Sequence, residues 1–131
     1  MKKSTLLNSE ISYVISKMGH TDTLTIGDCG LPIPPETERI DLALRKGIPG
    51  FLDTLDTVLE ELCVQEIILA EEMKEISPVL WKNTLDRFPD IKVTYVPHEA
   101  FKEMTKNSCA VIRTGETTSY ANIILVSGVT F

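Results

Sequence analysis

The chain has 131 residues, 43% of them hydrophobic, and a net charge of −6 from 13 basic and 19 acidic side chains. That length supports one domain over 1–131 with a core of its own, and the apolar fraction is too high for a disordered chain. Scattered lysines and arginines in an acidic chain exclude a phosphate-neutralising surface, so nucleic acid is not an expected partner.

No apolar run approaches the roughly 20 residues of a membrane-spanning helix. The first ten residues are basic, then briefly apolar, then polar from Asn8. That is too short for a secretory leader, so a cytoplasmic location is expected. Cys29, Cys63 and Cys109 are widely spaced and odd in number, which fits neither a disulfide framework nor a structural zinc site.

In chain order, Ile11, Val14, Ile15 and Met18 recur at helical spacing behind an Asn8 or Ser9 cap and predict a helix over 9–18, stopped by Gly19. A strand over 23–26 follows, with His20 in the turn before it and Asp28 at its end. After a proline-rich loop, Ile40, Leu42 and Leu44 alternate against a charged segment and predict a strand over 38–44. Residues 45–50 form a Gly/Pro loop. Asp53 is a candidate cap for a helix running to about Cys63, with Leu55, Val58, Leu59 and Leu62 on its apolar face.

Residues 66–70 read as a buried strand, and Glu71, Glu72 and Glu75 as a solvated loop or helix face. Ser77-Pro78 is a helix start, with proline at the first helical position, and that helix should end near Phe88-Pro89. A strand over 91–96 and a helix over 97–106 follow, with His98 in the helix's first turn. Strands over 109–114 and 122–126 are joined by the loop 115–120. Residues 127–131 are apolar to the end, and such a terminus is normally tucked against its own core or a neighbouring subunit. Strands alternating with helices of about ten residues imply a single α/β domain, a largely parallel sheet flanked by helices.

Two stretches carry candidate chemistry. The first, 19–34, holds His20 and Asp28 at opposite ends of one strand. Imidazole exchanges protons near neutral pH, and a carboxylate at the carboxyl end of a strand lies where ligands collect in open α/β sheets. Each has a plainer reading: a surface turn residue for either histidine, a turn cap for Asp28. Cys29 has no base beside it in sequence and reads as a buried hydrophobe rather than a nucleophile.

The second stretch, 113–122, offers Arg113, Glu116, four hydroxyls, Tyr120 and Asn122, a set suited to a polyhydroxylated ligand and equally to a polar loop. Tyr120 and Asn122 would face the same side on an extended backbone. His98, at a helix N-terminus, should favour its neutral form. No GxGxxG or GxxxxGK[ST] motif points to a nucleotide, and no HxxxH spacing to a metal.

These residues also carry a resemblance. The segments LNSEIS (7–12), GHTD (19–22), IGDCGLPIP (26–34), RIDLAL (39–44), GIPGFLDTL (47–55), PHEAFK (97–102), AVIRTGETTSYANIIL (110–125) and SGVTF (127–131) stand in order over almost the whole chain. Together they resemble the RbsD/FucU family of sugar mutarotases, most closely its ribose pyranase branch. The resemblance implies a cytoplasmic, cofactor-free isomerase that interconverts the pyranose and furanose rings of D-ribose and feeds ribokinase.

By that resemblance His20 is the general acid. Asp28, His98, Tyr120 and Asn122, with the Ala121 backbone, are sugar-binding positions. It also implies a ring-shaped homo-oligomer, often a decamer of two pentamers, with sites at subunit boundaries. Asp28 would orient His20 or accept a sugar hydroxyl, and His98 is the candidate complementary base. Cys29 stands where the family more often has alanine, and Ser119 where proline commonly precedes the tyrosine; proline would have fixed φ there. A fucose-type mutarotase and a sugar-binding module without turnover are the alternative readings.

Overall fold

The computed structural model describes residues 1–131. Asn8 caps the first helix, α1 (Ser9–Lys17), its side chain accepting from the Ile11 N–H at 2.9 Å. Ile11 and Val14 form the buried face. The helix ends without a left-handed glycine. Met18 is already extended (φ −67°, ψ 131°), and the Gly19 N–H donates to Asp22 Oδ2 at 2.8 Å. Thr21, with φ 71°, makes the turn into β1 (Thr23–Gly27).

β2 (Arg39–Asp41) is shorter than the alternation at 38–44 predicts, because its partner β5 (Val111–Arg113) offers only three residues to pair with. Beyond it Leu44 lies exposed. α2 (Phe51–Leu59) begins two residues before the predicted Asp53 cap; Gly50 is the cap residue and supplies no side chain. The Phe51 N–H donates instead to Glu116 Oε2 at 3.2 Å.

β3 (Val64–Ala70) runs straight into a short helix, α3 (Glu71–Ile76), anchored by buried Met73. Pro78 opens α4 (Pro78–Leu85) as its sequence predicts, but the Ser77 hydroxyl does not cap it and donates to the Ser119 carbonyl at 2.7 Å. β4 (Lys92–Val96), α5 (His98–Met104), a 3₁₀ turn (Thr105–Asn107), β5 and β6 (Ile123–Ser127) complete the chain.

The six strands form one sheet in the order β2-β5-β1-β6-β3-β4. β1/β5, β2/β5 and β3/β4 are parallel, while β6 is antiparallel to both β1 and β3. The sheet is mostly parallel but mixed. Every strand but β6 is reached in the parallel sense; the segment between β5 and β6 contains no helix, so the chain turns at the end of β5 and runs back.

Both faces are covered, which is why the strand sequences are nearly continuous in apolar residues. Ile67, Leu69, Ile123 and Leu125 face the larger core with Phe51 and Leu55. Ile68, Ile124 and Val126 face the smaller one with Phe101. The terminus does not join either core: Phe131 is fully exposed.

Phe51 is 0% exposed at the start of α2. Phe51→Ala should cost about 3–5 kcal/mol of folding stability through lost transfer energy and cavity formation. Chemical denaturation at fixed protein concentration measures it, and a loss under about 1 kcal/mol contradicts this placement of the core.

Candidate active site

A cavity of about 360 Å³ opens at the carboxyl ends of β1 and β5, where α/β sheets bind their ligands. Asp28, Cys29, His98, Tyr120 and Asn122 line it, with the loop 116–119 along one side. Two reciprocal hydrogen bonds hold its floor. The Asp28 N–H donates to Asn122 Oδ1 at 2.9 Å, and Asn122 Nδ2 donates to Asp28 Oδ2 at 3.1 Å.

Asn122 is almost wholly buried, so this pair fixes the end of β1 against the start of β6. Asp28 Oδ1 also accepts the Gly30 N–H at 2.9 Å. Asp28 is therefore a turn cap and a wall of the cavity at once. Gly27 precedes it because the space is taken: a Cβ there would meet Leu31 Cδ2 at 2.6 Å and Asn122 Oδ1 at 3.1 Å.

His98 opens α5, and its backbone N–H donates to both carboxylate oxygens of Glu72, at 3.1 and 3.0 Å. Its ring packs edge-on to Tyr120 at 5.0 Å and stacks on Phe101 at 6.2 Å. Its Nδ1 is buried without a protein partner. Tyr120 has φ 60°, so it meets Asn122 in the cavity through a left-handed turn and not through strand alternation. The Asn122 N–H closes that turn on the Tyr120 carbonyl at 2.8 Å.

Ala121 is fully buried in the core and does not line the cavity; its N–H donates to the Thr118 carbonyl at 3.3 Å. Cys29 lines the cavity through a backbone-held turn: its N–H donates to the Glu116 carbonyl at 2.9 Å, and its carbonyl accepts from Arg113 Nε at 3.1 Å.

His20 lies elsewhere. It precedes β1 whereas Asp28 follows it, and the five residues of that strand span about 17 Å of extended chain. Its Nε2 is 2.9 Å from Gln65 Oε1. A separate hollow contains His20 together with Met18, Cys63, Val129 and Phe131. Within one chain, Asp28 cannot orient His20, because the two line separate hollows.

Three contacts escaped sequence reasoning: Glu72 under His98, Ser77 on Ser119, and Gln65 beside His20. All pair residues far apart in the chain, and no local spacing announces them. No group of three or more His, Cys, Asp or Glu side chains is arranged to hold a metal ion, and no helix is long and apolar enough to cross a membrane.

A profile described as the RbsD / FucU transport protein family matches residues 1–130. This chain belongs to the RbsD/FucU family. Among its relatives, the D-ribose pyranase of Clostridium perfringens (strain SM101 / Type A) is 60% identical over 131 residues, covering 100% of both chains. That of Geobacillus thermodenitrificans is 56% identical over 100% of this chain and 99% of its own.

The structure of Bacillus subtilis RbsD complexed with D-ribose superposes with a TM-score of 0.97 at 44% identity, over 100% of both chains. The fucose mutarotase of Streptococcus pneumoniae, solved with L-fucose, shares the RbsD/FucU fold at a TM-score of 0.79 and 24% identity, again over 100% of both chains.

Burial opposes ionisation of Glu116, but the Thr118 and Phe51 N–H groups, the Thr118 hydroxyl and the Thr117 N–H outweigh it and hold this carboxyl below its ordinary 4.5. A depressed folded-state pKa contributes stability that is fully present above about pH 4.5 and is lost as pH falls through the lower folded value. Glu116→Gln should therefore flatten the acid limb of stability against pH, followed by denaturant midpoints between neutral and acid pH. An unchanged acid limb contradicts the assignment.

Proposed function

We propose that this protein is a D-ribose pyranase, an intramolecular isomerase that interconverts the pyranose and furanose rings of D-ribose and supplies furanose to ribokinase. One observation carries the reading: full-length agreement with RbsD solved with D-ribose, in a chain whose cavity gathers a carboxylate, an amide, a phenol and an imidazole. A polar cavity of about 360 Å³ suits a ligand with a hydroxyl on nearly every carbon. The buried, unpartnered Nδ1 of His98 is what a sugar hydroxyl would satisfy.

The reaction is a pair of proton movements. In opening, the anomeric hydroxyl gives up its proton as C1–O1 becomes a carbonyl, the C1–O5 bond breaks, and the ring oxygen takes a proton to leave as a free 5-hydroxyl. In closing, the 4-hydroxyl attacks C1 and loses its proton while the aldehyde oxygen gains one. No covalent enzyme intermediate is needed, so orientation and acid–base help suffice. His20 is the acid for the ring oxygen. Asp28, Tyr120 and Asn122 hold the sugar, Ala121 sets the buried backbone between the last two, and His98 is the complementary base.

These roles require His20 of a neighbouring subunit, because the His20 and Asp28 of one chain sit at opposite ends of β1. The exposed apolar terminus Val129–Phe131 stands in the hollow with His20, which supports burial of that hollow by a second copy. A ring of subunits, two pentamers forming a decamer, satisfies this by presenting each chain's His20 end to its neighbour's cavity. The whole of 1–131 acts as one cytoplasmic pyranase domain, and the acid–base route asks for no cofactor. The resemblance to the fucose enzyme at 24% identity bears on fold and leaves ribose as the preferred sugar.

His20→Ala should lower ring exchange of D-ribose, measured by saturation-transfer NMR, by about 10²–10⁴-fold with circular dichroism unchanged. Activity within a few-fold of the unmodified protein refutes the assignment. L-fucose should exchange more slowly than ribose under the same conditions.

A further inference from the structure

Glu116 borders the cavity, yet its carboxylate is taken up by the protein. Oε1 accepts the Thr117 N–H at 3.0 Å, the Thr118 N–H at 3.0 Å and the Thr118 hydroxyl at 2.9 Å. Oε2 accepts the Phe51 N–H at 3.2 Å. A carboxylate offers about four acceptor sites, so little remains for a ligand. The backbone of the same residue is also engaged: its carbonyl accepts the Cys29 N–H at 2.9 Å, and its N–H donates to Thr114 Oγ1 at 3.2 Å.

This one residue therefore joins three pieces, the turn after β1, the start of α2 and the loop 117–120. The loop needs such a joint, since 114–122 contains neither helix nor strand and ends in a left-handed tyrosine. Gly115 beside it is wedged against the 45–48 turn. A Cβ there would run into the carbonyls of Arg45 and Ile48, and its N–H donates to the Pro49 carbonyl at 2.8 Å. The far end of the loop is held by the Ser77 hydroxyl on the Ser119 carbonyl at 2.7 Å.

We infer that Glu116 is a positioning residue for the ring interconversion: it does not touch the sugar but sets the loop that carries Tyr120, and through it the edge-on packing against His98. The inference rests on the pyranase reading above. It also explains the need for a carboxylate at this position. A glutamine keeps the three contacts at Oε1, but its amide NH₂ replaces the acceptor facing the Phe51 N–H and sets donor against donor.

The test is ribose exchange by saturation-transfer NMR over a range of ribose concentrations, with melting temperatures, on the full-length protein and its Glu116→Ala and Glu116→Gln variants. Glu116→Ala should lose about 10²-fold in kcat/KM, mostly through KM, as expected for a misplaced binding side chain. Glu116→Gln should recover about tenfold of that loss by keeping three of the four contacts. A kcat/KM for Glu116→Ala within about threefold of the unmodified protein overturns the inference, as does a loss in kcat alone that glutamine does not relieve.

If Glu116→Ala does not fold, Thr118→Val removes only the hydroxyl contact. It should raise KM a few-fold at unchanged melting temperature, and an unchanged KM overturns the inference. The two levels separate cleanly. No exchange above buffer by the unmodified protein defeats the pyranase reading and this inference with it, whereas full activity in Glu116→Ala defeats the inference alone.

Discussion

The length of β1 sets the terms for everything else in this molecule. Its five residues run from the core's one edge to the other, with Leu24 and Ile26 fully buried between. The strand cannot bend to bring its ends together without surrendering that core. His20 and Asp28, close in the motif-bearing stretch, are thus held at opposite ends of a rigid element whose five residues span about 17 Å. A chemistry that uses both must take them from different chains, and symmetric association offers every chain the same solution at once.

The antiparallel sense of β6 is the second constraint, and it follows from the loop that replaces a crossover helix after β5. Running back along β1, β6 begins where β1 ends. That alone puts Asn122 against Asp28, with two hydrogen bonds at 2.9 and 3.1 Å. The buried amide is satisfied by a carboxylate and a backbone N–H, so the floor of the cavity is rigid without apolar packing. Carboxylates then organise the rim: Glu72 holds the His98 backbone and Glu116 the loop before Tyr120. The acidic net charge of −6 is in part structural, with carboxylates standing in for the regular backbone pairing that the rim lacks.

Local signals in the chain determine structure where local physics decides. Asn8 caps α1, Pro78 opens α4 and His98 opens α5, because a cap or a fixed φ acts within one turn of helix. Strand extents were not legible in the same way. Alternation at Ile40, Leu42 and Leu44 continues past β2, but pairing stops when β5 runs out, and a strand exists only as far as its partner.

The site was legible as composition but not as geometry. Asp28, His98, Tyr120 and Asn122 do meet. The route by which Tyr120 and Asn122 meet is a left-handed turn that strand periodicity does not foresee. Ser77 reads as a helix cap and instead serves the loop 42 residues further on. Such assignments depend on tertiary contacts formed after the local elements. The family resemblance supplied what spacing could not, a reason to join His20 to residues at the opposite end of its strand.

The proposal that the site is divided between chains has a direct test. His20→Ala and Asp28→Ala proteins, each inactive alone, are unfolded together in equal amounts, reassembled and assayed for ribose exchange. Half the chains then bring an intact His20 and half an intact Asp28. Random association should therefore restore about one quarter of the activity of the unmodified protein. A mixture as inactive as its parents, with reassembly verified by size, would contradict a site shared between subunits.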